Sequence, residues 1–177
     1  MSSPLTAEKT IIKARESYPT CEPAMTIRVG LAGQFPCGDI HTGSTLVGVP
    51  LGEGTLESVG DFEPKMKFKL TSGHDWFRID ADKKHGRLSV SVIATDEAGR
   101  SIRLIADGVC ELNEHTMPLI LGSPDAKTNP WGFGGHESYK VLESMMFACS
   151  QRFAIGEGGA PVAEIRISRI IPGSGFE

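Results

Sequence analysis

The chain has 177 residues, of which 40% are hydrophobic and 23% are charged, and its formal net charge is −4. This length suffices for one domain with a full hydrophobic core and is too short for two, so we expect a single domain. The acidic balance and the scattered lysines and arginines argue against nucleic-acid or anionic-membrane partners.

We predict that residues 1–24 form an N-terminal arm. Apolar residues among charged ones within residues 5–18 are compatible with a short helix, which Pro19 and Pro23 would end. The segment lacks the charged and then apolar pattern of a secretory signal, and no apolar run approaches the roughly 20 residues of a membrane span. We therefore expect a cytoplasmic protein without a membrane partner.

The pattern changes at residue 25 to short β-like runs that glycines and prolines separate, and it continues to residue 172. In one run, Phe68 and its apolar neighbours alternate with lysines, which predicts a strand with one apolar face and one exposed face. The clearest hairpin joins residues 88–95 to residues 101–106. We expect the last five residues, 173–177, to form a tail.

Eight or so short strands with almost no helix indicate a sandwich or a barrel. We predict an all-β fold, an antiparallel β-barrel that is lipocalin-like or calycin-like in shape. A closed sheet has no exposed edges and can enclose one ligand.

A long stretch from residue 113 to about residue 139 contains three prolines and a glycine-rich run. Such loops often act as lids or binding loops, and we expect this one to cover one end of the barrel and to be its most mobile part. Its Trp131, His136 and Tyr139 would suit a lid over an aromatic or polycyclic ligand. Alternatively, Trp131 packs the loop as a satellite core.

The candidate catalytic centre lies at residues 72–77. Burial of Asp75 would raise its pKa and make it a general acid or base; alternatively, its carboxyl accepts backbone N–H bonds and only holds the strand end. We expect Trp76 at the rim or in the interior, where its indole would lower the polarity beside Asp75. His74 is a natural proton-transfer residue, but as the neighbour of Asp75 on a strand it should point to the opposite face.

Two arginines are further candidates. Arg103, in the middle of an apolar strand, could anchor a ligand carboxylate or enolate from inside the barrel, or it could lie on the outer surface. Arg152 has the same two alternatives. The predicted substrate-binding set has six members. They are Phe68 on an apolar strand face, Trp76, Arg152 and the three loop residues Trp131, His136 and Tyr139.

No metal or cofactor site is predicted. The five histidines lack the spacing of a metal site, and the glycine-rich run lacks the lysine of a phosphate loop. The cysteines, which we expect to be reduced and mostly buried, are too widely spaced for a zinc ribbon or a redox motif. These are Cys21, Cys37, Cys110 and Cys149.

Several short motifs resemble a protein family named domain of unknown function 3237. They are Gly54-Thr55-Leu56-Glu57, Gly73-His74-Asp75-Trp76, residues 88–95 with the turn at 96–99, and residues 139–143 before a glycine-rich hairpin. The resemblance covers about residues 25–172. It implies an antiparallel barrel found in bacteria and fungi, with members among tailoring genes of secondary metabolism and no shared cofactor.

Two functions are compatible with such a barrel. One is a cofactor-independent tailoring enzyme, an isomerase, cyclase or dehydratase, that holds a hydrophobic or polycyclic small molecule in a dry cavity. The other is a binding or carrier protein without chemistry. A proton-transfer group that faces the cavity would favour the enzyme, and a wholly apolar cavity would favour the carrier. The sequence is also compatible with a homodimer.

Overall fold

The computed structural model describes residues 18–121, 123–131, 135–140, 142 and 144–173, with the backbone alone for residues 137, 139 and 140. The helix predicted within residues 5–18 falls almost wholly outside these ranges. Across the ranges that are described, no helix is long and apolar enough to cross a membrane.

The fold is all-β, as predicted, and the described ranges contain one short α-helix. The helix, α1, spans Met117–Ile120, and a 3₁₀ turn spans Glu157–Gly159. The strands are β1 (Thr20–Leu31), β2 (Phe35–Asp39), β3 (Thr45–Ser58), β4 (Lys67–Ile79), β5 (His85–Thr95), β6 (Ser101–Glu111), β7 (Gly135–Lys140), β8 (Phe147–Ile155) and β9 (Pro161–Ile171).

Eight of these strands close into an antiparallel barrel, which confirms the predicted architecture. They pair in the order β1-β9-β8-β7-β6-β5-β4-β3, and a further pairing between β1 and β3 completes the circle. β3 changes partner along its length, because its first residues pair with β2 and its later residues pair with β1. β2 therefore lies outside the closed barrel as an added edge strand.

Closure depends on a close approach of two backbones at Gly54. Gly54 of β3 pairs with Val29 of β1 and with Leu70 of β4. A Cβ atom at Gly54 would lie 2.5 Å from the carbonyl oxygen of Arg28 and 2.9 Å from Cα of Val29. Real Cβ atoms do not approach backbone so closely, so only glycine lets β1 dock on β3 here.

Apolar side chains fill the barrel as two clusters. The main core cluster includes Met25, Leu56, Leu104, Phe147 and Ile167, all nearly or fully inaccessible to solvent. The second core cluster consists of Val47, Val49, Phe77, Leu88 and Cys110. Leu31 and Val90 pack against both clusters.

The hairpin around Asp96 illustrates how the sequence fixes a turn. Asp96 Oδ1 accepts hydrogen bonds from the backbone N–H groups of Ala98 (3.0 Å) and Arg100 (2.8 Å). Gly99 has a φ of +79°, which favours glycine. The turn places Thr95 opposite Ser101, and the predicted β5–β6 hairpin follows.

The sequence analysis missed or misplaced four elements. β2 was not predicted, because its residues are all exposed and include a proline and a glycine. β1 begins at Thr20, so residues 20–23 pair with β9 instead of belonging to the arm. Residues 135–140 form β7, although they were assigned to the long loop, and α1 interrupts that loop by burying Leu119 in the main core cluster.

A substitution of Gly54 tests the closure. We expect Gly54→Ala to lower the free energy of unfolding by about 1–3 kcal/mol, as overpacking does, because the methyl group would meet β1 backbone that cannot move aside. Urea unfolding measures this change. Gly30→Ala is the control, since its Cβ would lie at an ordinary 3.6 Å from the Glu53 carbonyl oxygen. Equal losses in both variants would contradict the proposed close approach.

Candidate functional site

A β-bulge in β4 determines which side chains face the interior. Before it, Met66 and Leu70 are buried; after it, Asp75 and Phe77 are buried, so the inward positions change from even to odd numbers. The register between β4 and β5 shifts between Leu70 and Ser72, where the extra residue lies. The bulge thereby directs Asp75 into the barrel.

Between β4 and β5, a hydrogen bond to the carboxyl of Asp75 takes the place of backbone-to-backbone hydrogen bonds. Pairing between these strands stops after Asp75 and resumes at Arg78. In this gap Oδ1 of Asp75 accepts a hydrogen bond of 2.9 Å from the backbone N–H of Ser89. Asp75 is therefore buried, and its carboxyl also accepts a backbone N–H bond, which was the structural alternative for this residue.

Asp75 faces a cavity with a volume of about 50 Å³ that lies where the two core clusters meet. Fourteen of the described residues line it; twelve of these are apolar, and the other two are Asp75 and Gln151. Burial among these side chains raises the pKa of Asp75 from an ordinary 3.8 to about 6, although the hydrogen bond from Ser89 lowers it. A carboxyl with a pKa near 6 can both donate and accept a proton near neutral pH.

Gln151 is the site residue that the sequence analysis missed. It is only 3% exposed and lines the cavity from β8. The signal was present, because Cys149, Gln151 and Phe153 are spaced by two along one strand and are all buried.

Of the two positions predicted for Trp76, the rim or the interior, the interior one is wrong. Trp76 is 47% exposed and shares the outer face of β4 with His74, which is also exposed. Their ring centroids are 5.7 Å apart in an edge-to-face arrangement. Because the bulge points Asp75 inward, both of its neighbours must point outward, so aliphatic side chains rather than the indole surround the carboxyl.

The two candidate arginines also lie on the outside. Arg103 is exposed on β6, since Leu104 and Ala106 take the inward positions. Arg152 is half-buried on the outer face of β8, where its Nη2 lies 2.6 Å from Oε2 of Glu164. Neither faces the cavity, so the interior alternative is wrong for both arginines.

Trp131 packs against the outer wall of the barrel. The guanidinium carbon of Arg166 lies 3.9 Å from its ring centroid, and that of Arg152 lies 4.6 Å away. Near it, the backbone N–H of Asn129 donates to the carbonyl oxygen of Phe153 at 2.9 Å. This arrangement fits the satellite packing that was one of the two alternatives for Trp131 and anchors the loop to β8 and β9.

The remaining predicted substrate-binding residues are scattered. His136 is exposed on β7, and Phe68 is partly buried against the main core cluster without lining the cavity. The side chain of Tyr139 lies outside the described residues. Of the whole predicted set, only Asp75 lines the cavity in the described part of the chain.

One cluster has the composition of a cation site. Single ligand atoms of Asp80, Asp82 and His85 lie within 4.8 Å of one another at the β4–β5 turn. The guanidinium of Arg87 already contacts Oδ2 of Asp80, with Nη2 at 2.8 Å, and His85 Nδ1 lies 3.1 Å from Oδ2 of Asp82. These ion pairs account for the cluster, and we assign no metal to it.

The cysteines, all of which are described, form no disulfide. Cys110 and Cys149 are buried, as expected, whereas Cys21 and Cys37 are exposed. The expectation of mostly buried cysteines therefore holds for two of them.

Replacement of Trp131 tests the anchored loop. We expect Trp131→Ala to speed hydrogen exchange at the backbone N–H of Asn129, because each lost cation–π contact is worth about 0.5–2 kcal/mol. Trp131→Phe should have a smaller effect, since phenylalanine is a weaker partner. The amide of Asp96, which donates to Arg100 in a distant turn, is the internal control. An unchanged rate at Asn129 in Trp131→Ala would show that the arginines do not hold the loop.

The pKa of Asp75 predicts the pH dependence of stability. The unfolded carboxyl ionises near pH 3.8, whereas the folded one keeps its proton to about pH 6. The folded state therefore binds more protons in this window, and the free energy of unfolding contributed by Asp75 falls by about 3 kcal/mol as the pH rises through it.

Asp75→Asn removes this pH-dependent contribution to the free energy of unfolding. The amide oxygen of the new asparagine can still accept the hydrogen bond from the backbone N–H of Ser89. The stability of the variant relative to wild type should rise by about 3 kcal/mol between about pH 4 and about pH 7, measured by urea unfolding. Asp107→Asn, an exposed carboxylate on β6, is the matched control. A stability difference between Asp75→Asn and wild type that does not change with pH would refute the raised pKa.

Comparisons with solved structures support the fold. A conserved protein of unknown function from Rhodopseudomonas palustris aligns with a TM-score of 0.68 and 14% identity, covering 86% of this chain and 98% of its own. A protein of unknown function from Clostridium acetobutylicum aligns with a TM-score of 0.61 and 12% identity, covering 86% of this chain and 99% of its own. A protein described as β-barrel-like from Acinetobacter baumannii aligns with a TM-score of 0.59 and 14% identity, covering 86% of this chain and 96% of its own. Identities this low show the shared fold alone.

Sequence comparison gives the family but no activity. No curated protein matches the chain. The family model described as Protein of unknown function (DUF3237) matches residues 19–170, nearly the whole barrel with both Asp75 and Gln151. The chain therefore belongs to the DUF3237 family, as its motifs indicated.

Proposed function

We propose that this protein is a cofactor-independent enzyme that uses Asp75 as a general acid or base on a hydrophobic small molecule inside the barrel. The reaction class is an isomerisation, a cyclisation or a dehydration. The observation that carries the proposal is the position of Asp75, which is the only ionisable side chain among the described residues that line the cavity.

The surroundings of Asp75 suit proton transfer. With a pKa of about 6, both its acid and its carboxylate forms are populated near neutral pH. The cavity wall around it is otherwise apolar except for Gln151, whose amide can orient a polar group of the ligand. A proton donated or accepted here would act in surroundings of low polarity, where electrostatic effects on the transition state are strong.

The cavity volume restricts the ligand. A cavity of about 50 Å³ is about a third of the roughly 150 Å³ cavity that accommodates benzene. Binding of a polycyclic molecule would require the lining side chains to move, so we propose a small ligand, or the small end of a larger one. The tailoring role in secondary metabolism, the cytoplasmic location and the homodimer stay predictions.

A carrier is the alternative function. The apolar character of twelve of the fourteen lining residues favours it, since such a wall can hold a hydrophobic molecule without reacting with it. A carrier, however, gains nothing from a buried titratable carboxyl. We therefore place the enzyme first.

Exchange of carbon-bound hydrogen tests the catalytic role. Small carbonyl compounds, including acetone, are incubated with the protein in D₂O, and deuterium incorporation beside the carbonyl is followed by NMR. Asp75→Asn should slow the protein-dependent exchange by about 10²–10⁴, the range typical of a lost general acid or base. The control is Asp107→Asn, which changes a carboxylate exposed on the outer face. It should leave the protein-dependent exchange at the wild-type rate.

Two results would count against this role. Equal exchange in Asp75→Asn and wild type would remove Asp75 from the mechanism. Binding of the compounds without any protein-dependent exchange would favour the carrier.

A further inference from the structure

We infer that the cavity takes an uncharged molecule that carries a single hydrogen-bonding oxygen, of the chemical class of small ketones and aldehydes. This inference rests on the interior ligand site of the proposed function and deepens it by naming the ligand class. It follows from where the charged side chains of the barrel lie.

An anionic ligand lacks a partner in this cavity. The described residues that line the cavity include no lysine, arginine or histidine, and the two candidate arginines, Arg103 and Arg152, lie on the outer face. A ligand carboxylate or phosphate would lose its hydration beside the carboxyl of Asp75, and an unpaired buried charge is strongly disfavoured.

A cationic ligand is also poorly matched. Among the described residues, Asp75 is the one ionisable side chain that lines the cavity, so it is the one counterion that an alkylammonium group could find there. Below about pH 6 the acid form of Asp75 predominates, and this form carries no charge. Beside it, a buried ammonium would be an unpaired charge, which is strongly disfavoured.

A carbonyl compound matches what the cavity offers. Its oxygen can accept a hydrogen bond from the acid form of Asp75, and it carries no charge that would need a counterion. The rest of the molecule contacts aliphatic walls such as Val90, Val92 and Leu104. The reacting carbon of a ketone or aldehyde lies next to its carbonyl carbon, so recognition of the oxygen also brings the reactive position near Asp75.

Three probes with four non-hydrogen atoms each test the ligand class. They are acetone, acetate and isopropylammonium; acetone is compared with isopropylammonium at about pH 5, where the acid form of Asp75 predominates, and with acetate at about pH 7, where acetate is an anion. Methyl NMR signals of Val90, Val92 and Leu104 report on the cavity, and those of the exposed Ile93 and Leu121 report on nonspecific surface binding. Acetone should shift the cavity methyl signals saturably, and each charged probe should bind at least about tenfold more weakly.

The outcomes separate this inference from the proposed function. Acetate or isopropylammonium binding in the cavity as tightly as acetone would overturn the ligand class, and so would the absence of cavity shifts with all three probes. Asp75→Asn should still bind acetone and should still discriminate against acetate, because its wall remains uncharged. Retention of this discrimination with unchanged hydrogen exchange in Asp75→Asn would refute the catalytic role and leave the ligand class intact.

Discussion

The bulge between Leu70 and Ser72 is the constraint on which the interior of this barrel depends. A strand has a period of two, so one extra residue exchanges its two faces. Without the bulge, the even positions of β4 would remain inside, and His74 and Trp76 would occupy the place that Asp75 and Phe77 take. The same bulge lies beside Gly73, where a Cβ would lie 2.8 Å from Cγ2 of Val92, so β5 packs closely against this turn of the strand.

Closure of the barrel and burial of Asp75 are linked through the lining of the cavity. The docking of β1 on β3 at Gly54 brings Val29 and Leu70 into the same wall, and both contact the space that Asp75 faces. In the described part of the chain, apolar side chains from seven of the eight barrel strands thus replace water around one carboxyl. The raised pKa is therefore a property of the closed barrel, since an isolated β4–β5 hairpin would leave this carboxyl hydrated.

The sequence predicted the barrel because alternation and turn chemistry are local. Asp96 and Gly99 specify their hairpin within a few residues, and both final strands show a clear period of two. The interior was harder to predict, because a bulge is set by the partner strand: nothing near Trp76 reveals that β5 is displaced by one residue. β7 was missed for a related reason, since its glycine-rich approach is typical of a loop, and only pairing with β6 and β8 makes it a strand.

The hydrogen bond to Ser89 does not by itself account for a carboxyl at position 75. An asparagine oxygen can accept the same backbone N–H without becoming charged, whereas the ionised aspartate is disfavoured by about 3 kcal/mol at neutral pH if its pKa is near 6. Stability alone thus favours the amide over the acid. What aspartate offers and asparagine does not is a proton that can be released and regained near neutral pH, in a cavity where Gln151 already supplies an amide. This difference supports a chemical role for Asp75 over a purely structural one.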